Sequence, residues 1–218
     1  MAQEIEIKLK ISDAKALKRK LKRLAARPVG GGTGRVHEWN VIFDTPEGGL
    51  AKHGQLLRIR TETPQAKSKM GTAAVGHRTL LTFKRPSLEG NASSGSAQEN
   101  HRHKVREELE LEVIGGDTLA KILEGLGMRG WFRYEKYRTT YRLPASSRWA
   151  KDLLIELDET PIGTFVELEG PPPAIDRAAR ELGFSSFDYI VKNYLVLYVE
   201  DCRRQGIEPK DMLFAARK

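Results

Sequence analysis

The chain has 218 residues, 39 % apolar and 30 % charged, enough to build one sizeable core without disulfide or metal staples. No apolar run approaches the roughly 18 residues of a membrane span, and Cys202 is the sole cysteine, which excludes a helical membrane protein, a disulfide scaffold and a CxxC metal site. Lys and Arg number 37 against 29 Asp and Glu, a formal charge of +8 that favours polyanionic partners: nucleic acid, anionic lipid or small phosphates. Met1-Ala2-Gln3 runs straight into a charged segment without a basic and apolar leader, so a cytoplasmic address is expected, a reducing compartment that suits a lone structural cysteine.

Residues 4 to 11, EIEIKLKI, alternate strictly, with Glu4, Glu6 and Lys8 on one face and Ile5, Ile7, Leu9 and Ile11 on the other, which predicts a strand. Ser12 offers an N-cap, and Ala14, Leu17, Leu21 and Leu24 recur at helical spacing, predicting an amphipathic helix from Asp13 to about Arg27, ended by Pro28 and Gly30-Gly31-Gly32. Alternation at 35 to 43, 55 to 62, 79 to 85, 104 to 114, 132 to 143, 151 to 158 and 164 to 169 brings the strand count to eight. Asp117 to Leu126, Pro173 to Leu182 and Phe187 to about Arg204 read as helices. In the last, Phe187, Ile190, Val191, Tyr194, Leu195 and Tyr198 form an apolar stripe expected to pack as core, with Lys192 on another face within reach of a tunnel mouth. Residues 63 to 78 and 86 to 103 are rich in Ser, Gly, Ala, Pro and Gln and should be long mobile connections. One domain spans 1 to 218.

An antiparallel strand with one wet face shows this alternation on its own. Here, however, the polar faces are unusually charged. Glu4 with Glu6, Glu108 with Glu110, and Glu167 with Glu169 form Glu-x-Glu pairs, beside the pairs Arg58 with Arg60 and Lys136 with Arg138, and with Lys84, Arg106, Glu156 and Asp158 in phase on their own strands. Like charges two apart on one face repel and require counter-ions. If the sheet closes into a barrel with its apolar outer face covered by helices, acids and bases share one confined lumen. Carboxylates without His or Cys suit Mg²⁺ or Mn²⁺ rather than zinc. The seven cations Lys8, Arg58, Arg60, Lys84, Arg106, Lys136 and Arg138 exceed the need of a monophosphate and match a polyphosphate.

These residues resemble the CYTH domain proteins, or triphosphate tunnel metalloenzymes, which include class IV adenylyl cyclases, thiamine triphosphatases and inorganic triphosphatases. Glu4-Ile5-Glu6-Ile7-Lys8 is similar to the family's ExExK signature. Phe43-Asp44-Thr45, Leu56 to Arg60, Thr82-Phe83-Lys84, Arg106 with Glu108 and Glu110, Lys136 with Arg138, Leu157-Asp158 and Gly163 to Glu169 follow in family order. The resemblance implies an α+β fold: a closed eight-stranded antiparallel β-barrel with peripheral helices, one half acidic and metal-binding, the other basic and triphosphate-binding. By the same resemblance Glu4, Glu6, Glu167 and Glu169 hold Mg²⁺ or Mn²⁺, Glu108, Glu110 and Asp158 act catalytically as further ligands or water-orienting groups, and the seven cations grip the triphosphate. The implied activity is a metal-dependent triphosphatase acting on inorganic or organic triphosphate, with a class IV adenylyl cyclase as the alternative. Against the cyclase branch, only three residues precede Glu4, where that branch places a His-Phe pair; against a thiamine pocket, Leu56 stands where the animal thiamine triphosphatases carry Trp.

The expected partner is a small-molecule triphosphate, on a monomer or homodimer with no membrane attachment. A nucleic-acid module is the weaker alternative: Lys15, Lys18, Arg19, Lys20, Lys22, Arg23 and Arg27 form a basic run without interleaved aromatic stacking platforms. Gly30 to Gly34 is not a phosphate loop, because no Lys-Ser or Lys-Thr follows. His101 and His103, without carboxylate neighbours at ligand spacing, read as exposed loop residues.

Overall fold

The computed structural model describes residues 2–30, 33–65, 76–87 and 102–215. Gly31, Gly32, His101 and the interiors of both expected long connections lie outside the described residues. The elements run β1 (Ala2–Ile11), α1 (Ala14–Arg23), β2 (Arg27–Pro28), β3 (Arg35–Asp44), α2 (Gly49–Lys52), β4 (Leu56–Pro64), β5 (Arg78–Pro86), β6 (Lys104–Glu112), α3 (Gly116–Gly125), β7 (Arg129–Arg142), β8 (Leu154–Thr160), β9 (Gly163–Glu169), α4 (Pro172–Glu181) and α5 (Tyr194–Gln205).

Eight strands pair antiparallel in the cyclic order β1, β6, β5, β4, β3, β7, β8, β9 and back to β1, so no barrel strand has a free edge. The ninth, β2, is a two-residue addition against the end of β7. The pleat turns the Glu-x-Glu pairs, the Arg58 and Arg60 pair and the Lys136 and Arg138 pair inward. Outward, Ile7, Leu9, Ile155, Val166 and Leu168 are fully buried against Leu17 and Leu21 of α1 and Ile175, Ala178 and Ala179 of α4. Each such side chain contributes about 1.5–3 kcal/mol relative to exposure.

Four expectations change. The cap of α1 is Asp13, whose carboxylate accepts from the backbone N–H of Lys15 and Ala16 at 2.8 and 2.9 Å, and the helix stops at Arg23, because Ala25 turns into left-handed backbone (φ 52°) and Arg27–Pro28 pairs with β7. The last helix starts at Tyr194 rather than Phe187. A capping box between Ser185 and Asp188 closes a short 3₁₀ turn, Ile190 then exchanges two 2.9 Å backbone hydrogen bonds with Lys8, and Asn193 caps α5. Phe187 is consequently 97 % exposed and Val191 is also exposed, while Ile190, Tyr194, Leu195 and Tyr198 do join a cluster with Phe132, Phe165 and Met212. Finally, helices do not cover the whole barrel: on the outer face of β6, Leu109 and Leu111 are 50 % and 62 % exposed. No helix among the described residues is long and apolar enough to cross a membrane.

Candidate active site in the barrel lumen

The lumen is a cavity of about 1210 Å³, lined by thirteen of the fourteen residues singled out from the sequence. The exception is Asp158, fully buried in the wall behind Lys136 and Arg138. Strand register brings the set together: Glu6 lies opposite Lys104 on one side and Glu169 on the other, Lys8 opposite Glu167, Lys84 opposite Glu108, and Arg138 opposite Asp158.

Acids and bases are interleaved rather than divided into two halves. Lys84 Nζ lies 2.6 Å from both Glu4 oxygens and 3.3 Å from Glu108. Lys8 Nζ lies 3.1 Å from Glu6 and 3.2 Å from Glu167, and Lys104 Nζ also contacts Glu6. Burial pushes Glu6 up, but Lys8, Lys104 and Lys84 outweigh it and hold the carboxyl at about 2. Arg138 donates to both Asp158 oxygens at 2.7 Å and contacts Glu156 and Glu167. Lys136 and the Tyr194 hydroxyl donate to the same Asp158 Oδ2 at 2.8 and 2.7 Å, so Asp158 fixes three side chains. Arg58 is held by the Tyr134 hydroxyl at 3.1 Å and Thr82 Oγ1 at 3.2 Å, and Arg60 pairs with Glu110 at 2.9 Å. Arg106 turns toward the carbonyls of Gly54 and Lys84.

Two carboxylates show the opposite stress. Burial, Glu156 and Glu4 push Glu169 up to about 8, and burial pushes Glu156 up to about 7, where the attraction of Arg138 does not offset Glu167 and Asp158. Burial also raises Glu108. No group of three or more His, Cys, Asp or Glu side chains stands ready as a metal cage among the described residues, because the carboxylates are turned onto cations. The donor chemistry nonetheless fits a hard divalent cation: Glu4, Glu6 and Glu169 are oxygen donors crowded on adjacent strands, and Glu169 makes no ion pair among the described residues.

Sequence reasoning missed Glu38, Lys104 and Tyr194. Glu38 is buried among Lys136, Arg138 and Arg60 at 3.5 to 3.6 Å. Lys104 is in phase with Arg106, Glu108 and Glu110 and was legible from that spacing. Tyr194 reaches the lumen from α5, with Lys8 and Lys136 over its ring at 5.3 and 5.1 Å. Lys192 points elsewhere, pairing with Glu200 at 2.6 Å. His103 is not an exposed loop residue: its side chain is largely buried and meets Asp176 at 2.9 Å, an oxygen shared with the Tyr189 hydroxyl.

The sequence profile of the CYTH domain matches residues 2–194. The chain belongs to the CYTH domain family. CYTH proteins are enzymes of the triphosphatase and adenylyl cyclase kind and depend on divalent metal ions. Among solved structures, a Pyrococcus horikoshii protein aligns at 22 % identity and a TM-score of 0.65, covering 91 % of this chain and 99 % of its own. A Vibrio parahaemolyticus protein described as a candidate adenylate cyclase aligns at 17 % identity and a TM-score of 0.64, covering 88 % and 94 %. A Hippeastrum protein, described as a candidate adenylyl cyclase with a dominant triphosphatase activity, aligns at 23 % and 0.51, covering 94 % and 97 %. At these identities the likeness speaks for the CYTH fold. No curated protein sequence matches the chain.

Proposed function

We propose that the chain hydrolyses the terminal phosphoanhydride of a triphosphate, inorganic or organic, inside the barrel with the help of Mg²⁺ or Mn²⁺. The observation that carries this reading is the number of cations in one closed lumen: Lys8, Arg58, Arg60, Lys84, Arg106, Lys136 and Arg138 converge from β1, β4, β5, β6 and β7. A triphosphate carries several negative charges on non-bridging oxygens, and guanidinium forks and ammonium groups meet them with charge-assisted hydrogen bonds about twice as strong as neutral ones.

Phosphoryl transfer asks the protein mainly for positioning and electrostatic stabilisation. Arg58, Lys136 and Arg138 supply it in preset form, since Tyr134, Thr82 and Asp158 already hold their donor groups. Asp158, with both oxygens engaged, acts here as a positioning residue for Lys136 and Arg138. Glu108, raised by burial, and Glu110 face the phosphate-binding groups from β6 and are the candidates to orient the attacking water. Glu4, Glu6 and Glu169, with Glu167 beside them, would hold the divalent cation, which when bound neutralises phosphate oxygens and lowers the pKa of bound water.

The test is release of orthophosphate from tripolyphosphate with Mg²⁺ or Mn²⁺, run beside thiamine triphosphate and ATP. Metal-dependent orthophosphate release is the expected result. Cyclic AMP and pyrophosphate from ATP without orthophosphate would replace the hydrolase reading by the cyclase, and binding without turnover would reduce the protein to a polyphosphate binder.

A further inference from the structure

Three of the four glutamates assigned to the metal, Glu4, Glu6 and Glu167, are already engaged by cations. Lys104 stands directly across from Glu6 in the β6–β1 register, and its ammonium contacts Glu6 Oε1, the same oxygen that Lys8 reaches at 3.1 Å. Two ammonium groups on one carboxylate oxygen leave that oxygen no free direction for a metal ion. The two lysines are not equivalent, however. Lys8 is almost fully buried, is shared with Glu167 at 3.2 Å, and sits on backbone tied to Ile190. Lys104 is more exposed, its side chain 18 % accessible against 3 % for Lys8, on the first residue of β6, and Glu6 is its only ion-pair partner among the described residues. Its long flexible stem can swing away without breaking another ion pair among the described residues.

We infer that Lys104 is a built-in counter-ion of Glu6 which a divalent cation must displace, and that the released ammonium is then taken by a phosphate oxygen of the substrate. This rests on the proposed triphosphate chemistry and names a binding residue for it. Lys104 stabilises the Glu6 carboxylate when the lumen is empty, and so weakens metal binding in the absence of substrate. A polyanion in the lumen draws the same ammonium off Glu6, so that metal and triphosphate favour each other's binding. By linkage the coupling is reciprocal.

The experiment is a Mn²⁺ titration of the full chain without phosphate, reading free Mn²⁺ by electron paramagnetic resonance, for the wild type, Lys104→Met, Lys104→Arg and Lys18→Met. Removing the competing ammonium should tighten Mn²⁺ binding about tenfold in Lys104→Met, within the usual range of coupling between sites. Lys104→Arg, which keeps the charge, and Lys18→Met, which removes one from the solvent face of α1, should match the wild type. Lys104→Gln replaces Lys104→Met if the latter does not fold. Equal or weaker Mn²⁺ binding in Lys104→Met overturns the inference, as does equal tightening in Lys18→Met, which would make the effect one of net charge. If the wild type still releases orthophosphate from tripolyphosphate in that case, the hydrolase reading stands; no release and no Mn²⁺ binding by any variant sinks both.

Discussion

Under the proposed function, Arg58 is a side chain set in place before any phosphate arrives. Its guanidinium is buried and already oriented by Tyr134 and Thr82, so little rotamer freedom remains to be lost on binding. Arg58→Lys keeps the charge and loses the fork, and should raise the KM for tripolyphosphate about tenfold, ~1.4 kcal/mol, in steady-state assays, with a smaller effect on kcat. Glu38 has a structural counterpart role. Burial pushes its carboxyl up, but Lys136, Arg138 and Arg60 hold it well below the ordinary 4.5. A carboxyl lowered on folding adds stability above its unfolded value, and that stability drains away as pH falls through the folded one. Glu38→Gln leaves three buried cations short of an anion and should cost about 3 kcal/mol at pH 7, a fall in Tm of roughly 6–12 °C. Melts should show that gap unchanged from about pH 7 to 5 and narrowing as the pH falls from about 4.5 toward 2. Glu38 does not stand out in the sequence, because it sits alone in VHEWNVIF, whereas Lys104, at the border of a Ser- and Gly-rich segment, could be read only from its phase with Arg106, Glu108 and Glu110. Glu4, Glu6, Glu167 and Glu169 were legible because each pair repeats at the strand period.

At the level of the elements, helix cover is lopsided. α1 and α4 lie over β1, β8 and β9, whereas the outer face of β6 is open. Leu168→Ala, a fully buried site, should cost roughly 2–5 kcal/mol, while Leu111→Ala should stay within about 0.5 kcal/mol, as chemical denaturation would measure. The barrel strands were readable because alternation on a barrel wall is strict. The start of α5 was not. Phe187 to Tyr198 carries a helix-period apolar stripe, but three local contacts override it: the Ser185–Asp188 capping box, the backbone exchange between Ile190 and Lys8, and the Asn193 cap. Tertiary pairing of Ile190 with β1 outweighs the propensity of residues 187 to 193 to join the helix.

Considered whole, the molecule is a closed wall around repelling and attracting charges, and ligand binding should be felt by the entire fold. Tripolyphosphate with Mg²⁺ at about 100 times its Kd should add ~2.7 kcal/mol, raising Tm by roughly 5–10 °C, with orthophosphate at the same concentration giving a smaller shift. Thermal melts with and without chelator check this. Closure of the sheet is not legible in the alternation, which predicts strands but not whether the last meets the first; it is expected from the resemblance to the CYTH proteins, with the paired glutamates' demand for counter-ions consistent with it.

That meeting of first and last has a consequence in time. Lys8 finds Glu167 159 positions farther along the chain, so β1 leaves the ribosome long before β9 exists. Until then Glu4 and Glu6 can find, outside β1, only their lysine partners on β5 and β6, Lys84 and Lys104, and the cylinder stays open on one side. Joining such distant segments makes assembly slow relative to a helical protein of this length, and the seam between β1 and β9 should be the last to acquire protection in pulsed hydrogen exchange.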